Sequence, residues 1–124
     1  MRIFWVFVFL TTSFAARSQT VIDAAQTESM IQKNKRVQIV DVRTPEEWAE
    51  TGVIKGAHRI NFNGPDFQAQ VGRLNKTKPV IVYCAAGGRS PRAAAQLVKM
   101  GFKKVYDYSG GMNDWKAKGK KTVQ

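Results

Sequence analysis

Residues Val80 to Tyr83 read VIVY, four apolar or aromatic positions in a row with no polar alternation. A strand of that kind must be covered on both faces, the condition of a strand inside a parallel sheet. The neighbouring segments agree. VQIVDV (Val37 to Val42) and KKVYDY (Lys103 to Tyr108) carry strand-forming residues, and GAHRINF (Gly56 to Phe62) is compatible with a short strand. Between them lie helical patterns. Ala24, Ala25, Met30 and Ile31 are spaced helically within Asp23 to Lys33; Phe67, Val71 and Leu74 share one face of Asp66 to Leu74. Thr44, Pro45 and Glu47 have the order of an N-cap, a first-turn proline and a capping-box acid, with Gly52 ending that helix early. Ser90 and Pro91 cap and start a further helix, with Ala94, Leu97 and Val98 as its buried stripe and Gly101 as its stop. Met112 and Trp115 sit three apart on a last short helix. Strands alternating with helices predict an α/β domain built on a small, mainly parallel sheet with helices on both faces.

The residue immediately after VIVY is Cys84, the only cysteine of the chain. Ligand sites of open α/β sheets lie at the carboxyl ends of strands, and Cys84 occupies that position. A thiol becomes a nucleophile as its thiolate, which a helix N-terminus or a nearby cation favours. The helix predicted from Ser90 supplies free N–H groups; Arg89 and Arg92 supply positive charge. Gly87 and Gly88 allow successive N–H groups to turn inward as an anion nest. An inert, buried cysteine is the alternative.

The start of the chain, MRIFWVFVFLTTSFAARSQ, has an early arginine, an apolar run from Ile3 to Leu10 and small residues after it. This is the pattern of a secretory signal peptide spanning residues 1–18, with cleavage after Ala15 or after Ser18. The apolar run is well short of the roughly 20 residues of a spanning helix, so no stable membrane span is expected after processing. No cysteine lies near the cleavage region for lipid attachment. The expected product is an exported, periplasmic or secreted domain over 19–118 with a basic tail over 119–124, a monomer of one small domain. In an oxidising compartment a single cysteine cannot close an internal disulfide.

The formal net charge is +11, about +9 once Arg2 and Arg17 are removed with the leader. Much of the excess lies in NKTK near residue 75 and in the terminal KAKGKK. There is no zinc spacing, aromatic-basic RNA motif or helix-turn-helix pattern, so nucleic acid is not the expected partner. The basic segments read as a solvated surface and a frayed lysine tail, in a field that gathers small anions.

Four segments together resemble the rhodanese-like sulfurtransferase family. CAAGGRS (Cys84 to Ser90) is similar to its C-x-x-G-x-R-S loop, DVRTPEEW (Asp41 to Trp48) to its D-x-R-x-x-x-E-[YFW] block, ETGVIKGAHRINF (Glu50 to Phe62) to its G-H-I-x-G-A-x-x-I block, and VYDYSGGMNDW (Val105 to Trp115) to its V-x-x-L-x-G-G-x-x-x-W block. The resemblance implies a single rhodanese-like domain with Cys84 as the sulfur-accepting nucleophile. By the same resemblance, the backbone N–H groups of Ala85, Ala86, Gly87, Gly88, Arg89 and Ser90 would cradle a persulfide, and Arg89 would help bind the anionic donor. Thiosulfate is such a donor; cyanide or a thiol is such an acceptor. No cofactor or metal is implied. Arg43 is expected to form a structural ion pair with Glu46 or Glu47.

The sequence departs from the pattern at Gly52-Val53-Ile54, where the family's histidine is missing. The one histidine, His58, is expected to be a partly exposed strand residue rather than a proton donor. Cys84 and Arg89 are separated by four residues, a C-x4-R loop, whereas the related cell-cycle phosphatases use C-x5-R, a wider nest that fits phosphate. The spacing favours sulfur transfer. Two other readings stand beside it: a rhodanese-like module that carries sulfur or binds an anion or partner without turnover, and thiol redox chemistry such as arsenate reduction, which would need an external thiol.

Overall fold

A computed structural model describes residues 2–8 and 18–124. Five strands, β1 (Thr20–Ile22), β2 (Gln38–Asp41), β3 (His58–Arg59), β4 (Val80–Tyr83) and β5 (Val105–Tyr108), form one sheet in the order β1-β5-β4-β2-β3. Every strand pairing is parallel. Five helices alternate with them: α1 (Ala24–Lys33), α2 (Pro45–Thr51), α3 (Phe67–Val71), α4 (Ser90–Lys99) and α5 (Gly111–Ala117).

The run VIVY lies in the middle of the sheet, and all four of its residues are buried. Its side chains divide the core. Val80, Val82 and Cys84 join Val40, Val42 and Val105 beneath Phe67 and Val71 of α3 and Ala93, Ala94 and Leu97 of α4. Ile81 and Tyr83 join Ile22, Ile39 and Tyr108 against Ala24 of α1 and Met112 and Trp115 of α5. Helices therefore cover both faces, as the unalternating strand requires. The alternation along β4 also places Cys84 on the α4 face, where the start of α4 can reach it.

Local signals set several ends. Thr44 caps α2 by accepting from the Glu47 N–H, with Pro45 in the first turn and Gly52 at the C-cap with φ 71°. At the start of α4, however, Arg89 holds the N-cap position and Ser90 is the first helical residue, making no side-chain cap bond. The expected helix over Asp66 to Leu74 shortens to Phe67–Val71, and the expected strand over Gly56 to Phe62 to His58–Arg59, with His58 exposed.

The terminal lysine segment is docked rather than frayed. Val53 and Val123 form an antiparallel bridge with two 2.8 Å hydrogen bonds, and Trp115 Nε1 donates to the Lys121 carbonyl at 2.9 Å. The Lys120 ammonium pairs with Glu28 and lies 5.4 Å from the centre of the Trp115 ring. The tail is thus a strap across the α1–α5 face, held by backbone bonds that its composition does not announce.

Of the leader, Ile3 to Val8 are exposed and outside any helix or strand, while Ser13, Ala15 and Ala16 lie outside the described residues. No helix among the described residues is long and apolar enough to cross a membrane.

Candidate active site

Cys84 directly follows β4 and is 1% exposed. Its Sγ accepts hydrogen bonds from the N–H of Gly87 at 3.2 Å and the N–H of Ser90 at 3.4 Å. Burial pushes the thiol pKa up, but the Ser90 hydroxyl and the backbone N–H groups of Ser90, Arg89 and Gly87 outweigh it, leaving the pKa below its ordinary value. Of the six N–H groups expected to line the nest, those of Gly87 and Ser90 donate to the sulfur, with the first turn of α4 as its floor; those of Ala85, Ala86, Gly88 and Arg89 make no hydrogen bond to it.

The two loop glycines differ. Gly87 has φ 85°, and a Cβ there would stand 2.6 Å from the Ser109 carbonyl oxygen. Gly88 has no atom within 4 Å of such a Cβ and no left-handed backbone angle. Only Gly87 is required by the turn that aims N–H groups at sulfur.

Behind the loop stands the start of α5. The N–H of Met112 donates to the Cys84 carbonyl at 2.8 Å and the N–H of Asn113 to the Ala85 carbonyl at 3.0 Å. This approach needs Gly111, at φ 64°, because a Cβ there would lie 2.4 Å from the Cys84 oxygen. The second glycine of the expected GG pair is thus a contact residue of the loop.

The ion pairs differ from those expected. Arg43 does not pair with Glu46 or Glu47. It is buried against Asp41, with Nε and Nη2 donating to the carboxylate at 2.8 to 3.1 Å, and Nη2 also donates to the Gly52 carbonyl at 2.9 Å. Trp48 Nε1 donates to the same Asp41 carboxylate at 3.0 Å. The reason is geometric: Asp41 ends β2 and its buried carboxylate demands a partner, whereas Glu47, on α2, is only partly buried. Glu47 instead receives Arg89, 42 residues away, through two bonds of 2.6 and 2.9 Å. Hydrogen bonding to Arg89 overcomes partial burial and draws the Glu47 carboxyl down to about 2. The Arg92 guanidinium lies over the Phe62 ring, 5.2 Å from its centre.

One buried group was not singled out from sequence. Asp107, in β5, is 2% exposed, and its Oδ1 has no hydrogen-bond partner; Ser90 Oγ is the other such buried side-chain atom among the described residues. A carboxylate inside a doubly covered strand was the available signal.

A family model for the rhodanese-like domain matches residues 23–118. The chain belongs to the rhodanese-like family. Among its relatives, the thiosulfate sulfurtransferase GlpE of Coxiella burnetii is 35% identical over 85 residues, which is 68% of this chain and 77% of that protein. The uncharacterized protein YqhL of Bacillus subtilis is 31% identical over 116 residues, 94% of this chain and 90% of that protein. The crystal structure of a rhodanese-like domain protein from Staphylococcus aureus superposes with a TM-score of 0.71 at 29% identity, covering 86% of this chain and all of that one. The family and its sulfurtransferase members support sulfur transfer as the general chemistry of this rhodanese-like domain, with small sulfur donors and acceptors as its substrates.

Proposed function

We propose that this rhodanese-like domain is an exported sulfurtransferase that moves sulfane sulfur from an anionic donor such as thiosulfate to a thiophilic acceptor through a persulfide on Cys84. The observation that carries this reading is the sulfur of Cys84 receiving the N–H groups of Gly87 and Ser90 at the head of α4. The Cys84 thiolate attacks the sulfane sulfur, a new S–S bond forms, and the S–S bond of thiosulfate breaks with its electron pair leaving on sulfite. Cyanide or a thiolate then attacks the outer sulfur and Cys84 leaves as thiolate. The loop N–H groups offset the negative charge in both states without rearranging. The leader pattern supports export, and because β1 begins at Thr20, cleavage after Ala15 or Ser18 leaves the sheet whole.

The test is conversion of thiosulfate and cyanide to thiocyanate by the purified domain and its loss in Cys84→Ser. Absence of transfer from any sulfane donor by the intact domain would sink the proposal.

Two observations favour a second reading, a sulfur carrier without rapid turnover: Cys84 is 1% exposed, and Arg89 is engaged by Glu47. Mass spectrometry separates them. A carrier gains one sulfur atom on Cys84 but shows negligible turnover.

A further inference from the structure

Two arginine–carboxylate pairs form at the carboxyl ends of β2 and β4, and they differ in kind. The side chains of Arg43 and Asp41 are 2% and 0% exposed, so parting them would strand two charges in the core. Those of Arg89 and Glu47 are 21% and 29% exposed, so water reaches both when they separate. Glu47 also has other partners. Its Oε1 accepts from the Thr44 hydroxyl at 3.2 Å and from the Thr44 N–H at 3.5 Å, within the capping box of α2. The carboxylate is therefore not orphaned when the guanidinium leaves. The first pair is sealed, and the second is free to open.

The cation of the second pair belongs to the nest. Arg89 stands directly before Ser90 and two residues after Gly87, whose N–H groups meet the Cys84 sulfur at 3.4 and 3.2 Å. A guanidinium fork suits a carboxylate or another oxyanion through two parallel N–H groups. Glu47 takes both of them, Nη1 on Oε1 at 2.6 Å and Nη2 on Oε2 at 2.9 Å. An incoming oxyanion and Glu47 cannot hold the same two N–H groups together. Arg92, the other arginine at the start of α4, joins none of the ion pairs among the described residues.

We propose that Glu47 is a positioning residue that occupies the Arg89 fork as an internal competitor, so that an oxyanion donor binds there only by displacing it. The loop thereby discriminates against small dianions such as thiosulfate relative to uncharged sulfane donors. The proposal rests on the donor-binding role of Arg89 in the function proposed above. The exchange is one of partners: two N–H···O bonds to the carboxylate give way to two bonds to donor oxygens, while Glu47 keeps Thr44 and gains water. The apparent affinity for the anion falls by the fraction of molecules in which the fork is free. A partly exposed pair leaves the fork free in about one molecule in five, which raises the apparent dissociation constant about fivefold. A donor without charge makes no call on the fork and is unaffected.

Calorimetric binding of thiosulfate to Cys84→Ser, which lacks the sulfur that would accept the transfer, reads this competition directly. Adding Glu47→Gln should tighten the dissociation constant about fivefold. Adding Glu46→Gln removes an equal charge from the same exposed helix turn, where no bond reaches Arg89, and should change it less than about twofold. A purely structural tether would give the opposite sign, since a loosened loop binds more weakly. With Cys84 intact, Glu47→Gln should lower KM for thiosulfate and leave KM for an uncharged dialkyl trisulfide unchanged. Thiosulfate binding that is unchanged or weaker in Glu47→Gln, an equal gain in Glu46→Gln, or no binding to either chain would each overturn the proposal. Should Glu47→Gln fail to fold by circular dichroism, Glu47→Asp replaces it. One methylene short of the fork, it should tighten binding about twofold, and no gain overturns the proposal equally. The calorimetry involves no sulfur transfer. Tighter binding beside an intact chain that transfers no sulfur leaves this inference standing and removes the transfer reading; active transfer without tighter binding does the reverse.

Discussion

Arg89 and Glu47, 42 residues apart, meet through two hydrogen bonds of 2.6 and 2.9 Å. The pair ties the anion loop to the first turn of α2, where Glu47 already closes the capping box with Thr44. One carboxylate thus holds a helix start and the loop's arginine together. It also neutralises the cation that the sequence assigns to donor binding.

Glu47→Gln should therefore weaken the domain by about 1–2 kcal/mol near neutral pH. The pH dependence has a definite sign. The folded-state carboxyl lies at about 2 against an ordinary 4.5, so its contribution is complete above 4.5 and disappears as pH falls toward 2. Urea unfolding at pH 7 and pH 3 should show the wild-type advantage shrinking at the lower value. An advantage that is the same at both would refute this assignment.

Gly87→Ala and Gly88→Ala should separate sharply. The first forces a Cβ to within 2.6 Å of the Ser109 oxygen at a left-handed φ, the second meets open space. Gly87→Ala should lose sulfur-transfer activity at least about tenfold, equivalent to about 1.4 kcal/mol of transition-state stabilisation, while Gly88→Ala should stay within about twofold. Steady-state thiocyanate assays on both variants decide it.

Asp41→Asn removes the charge that balances a buried guanidinium. With Arg43 and Asp41 both buried, the expected cost is about 3–5 kcal/mol, enough to unfold much of the population of a small domain. Denaturant midpoints measure it; a loss below about 1 kcal/mol would mean that Thr51 and Gly52 hold Arg43 without the carboxylate.

Truncation of residues 120–124 should expose Trp115 and free the Val53 backbone. Trp115 is only 6% exposed with the tail in place, and Val53 makes both of its bridge bonds to Val123. A loss of about 1–3 kcal/mol is expected from those bonds and the uncovered indole. Faster amide exchange at Val53 is the specific signature; unchanged exchange would show that the strap contributes nothing.

The sequence was most informative where one local rule determined the outcome. VIVY specifies a central strand because no other placement covers both faces. Thr44, Pro45 and Glu47 specify a helix start because capping is settled within four residues. The Cys84 loop was legible for the same reason, since its N–H donors follow directly in the chain. Long-range choices were not legible. Two arginines and several carboxylates gave no sign that Arg43 would take Asp41 and Arg89 would take Glu47, because that depends on which groups the sheet buries. β1, three residues long, was missed because TVI is too short to show a period. The tail looked like solvated lysines because backbone pairing leaves no mark in composition.

The clamp of α5 on the loop has an effect on selectivity. The carbonyls of Cys84 and Ala85 are turned back onto Met112 and Asn113, while N–H groups from Gly87 and Ser90 face the sulfur. The sulfur therefore meets two N–H donors, while these two carbonyl acceptors are taken up by α5. Soft cations such as copper or zinc are attracted to a thiolate but need further electron-pair donors around them. This seat offers hydrogens instead. The same polarity that welcomes an oxyanion makes the thiolate a poor metal trap.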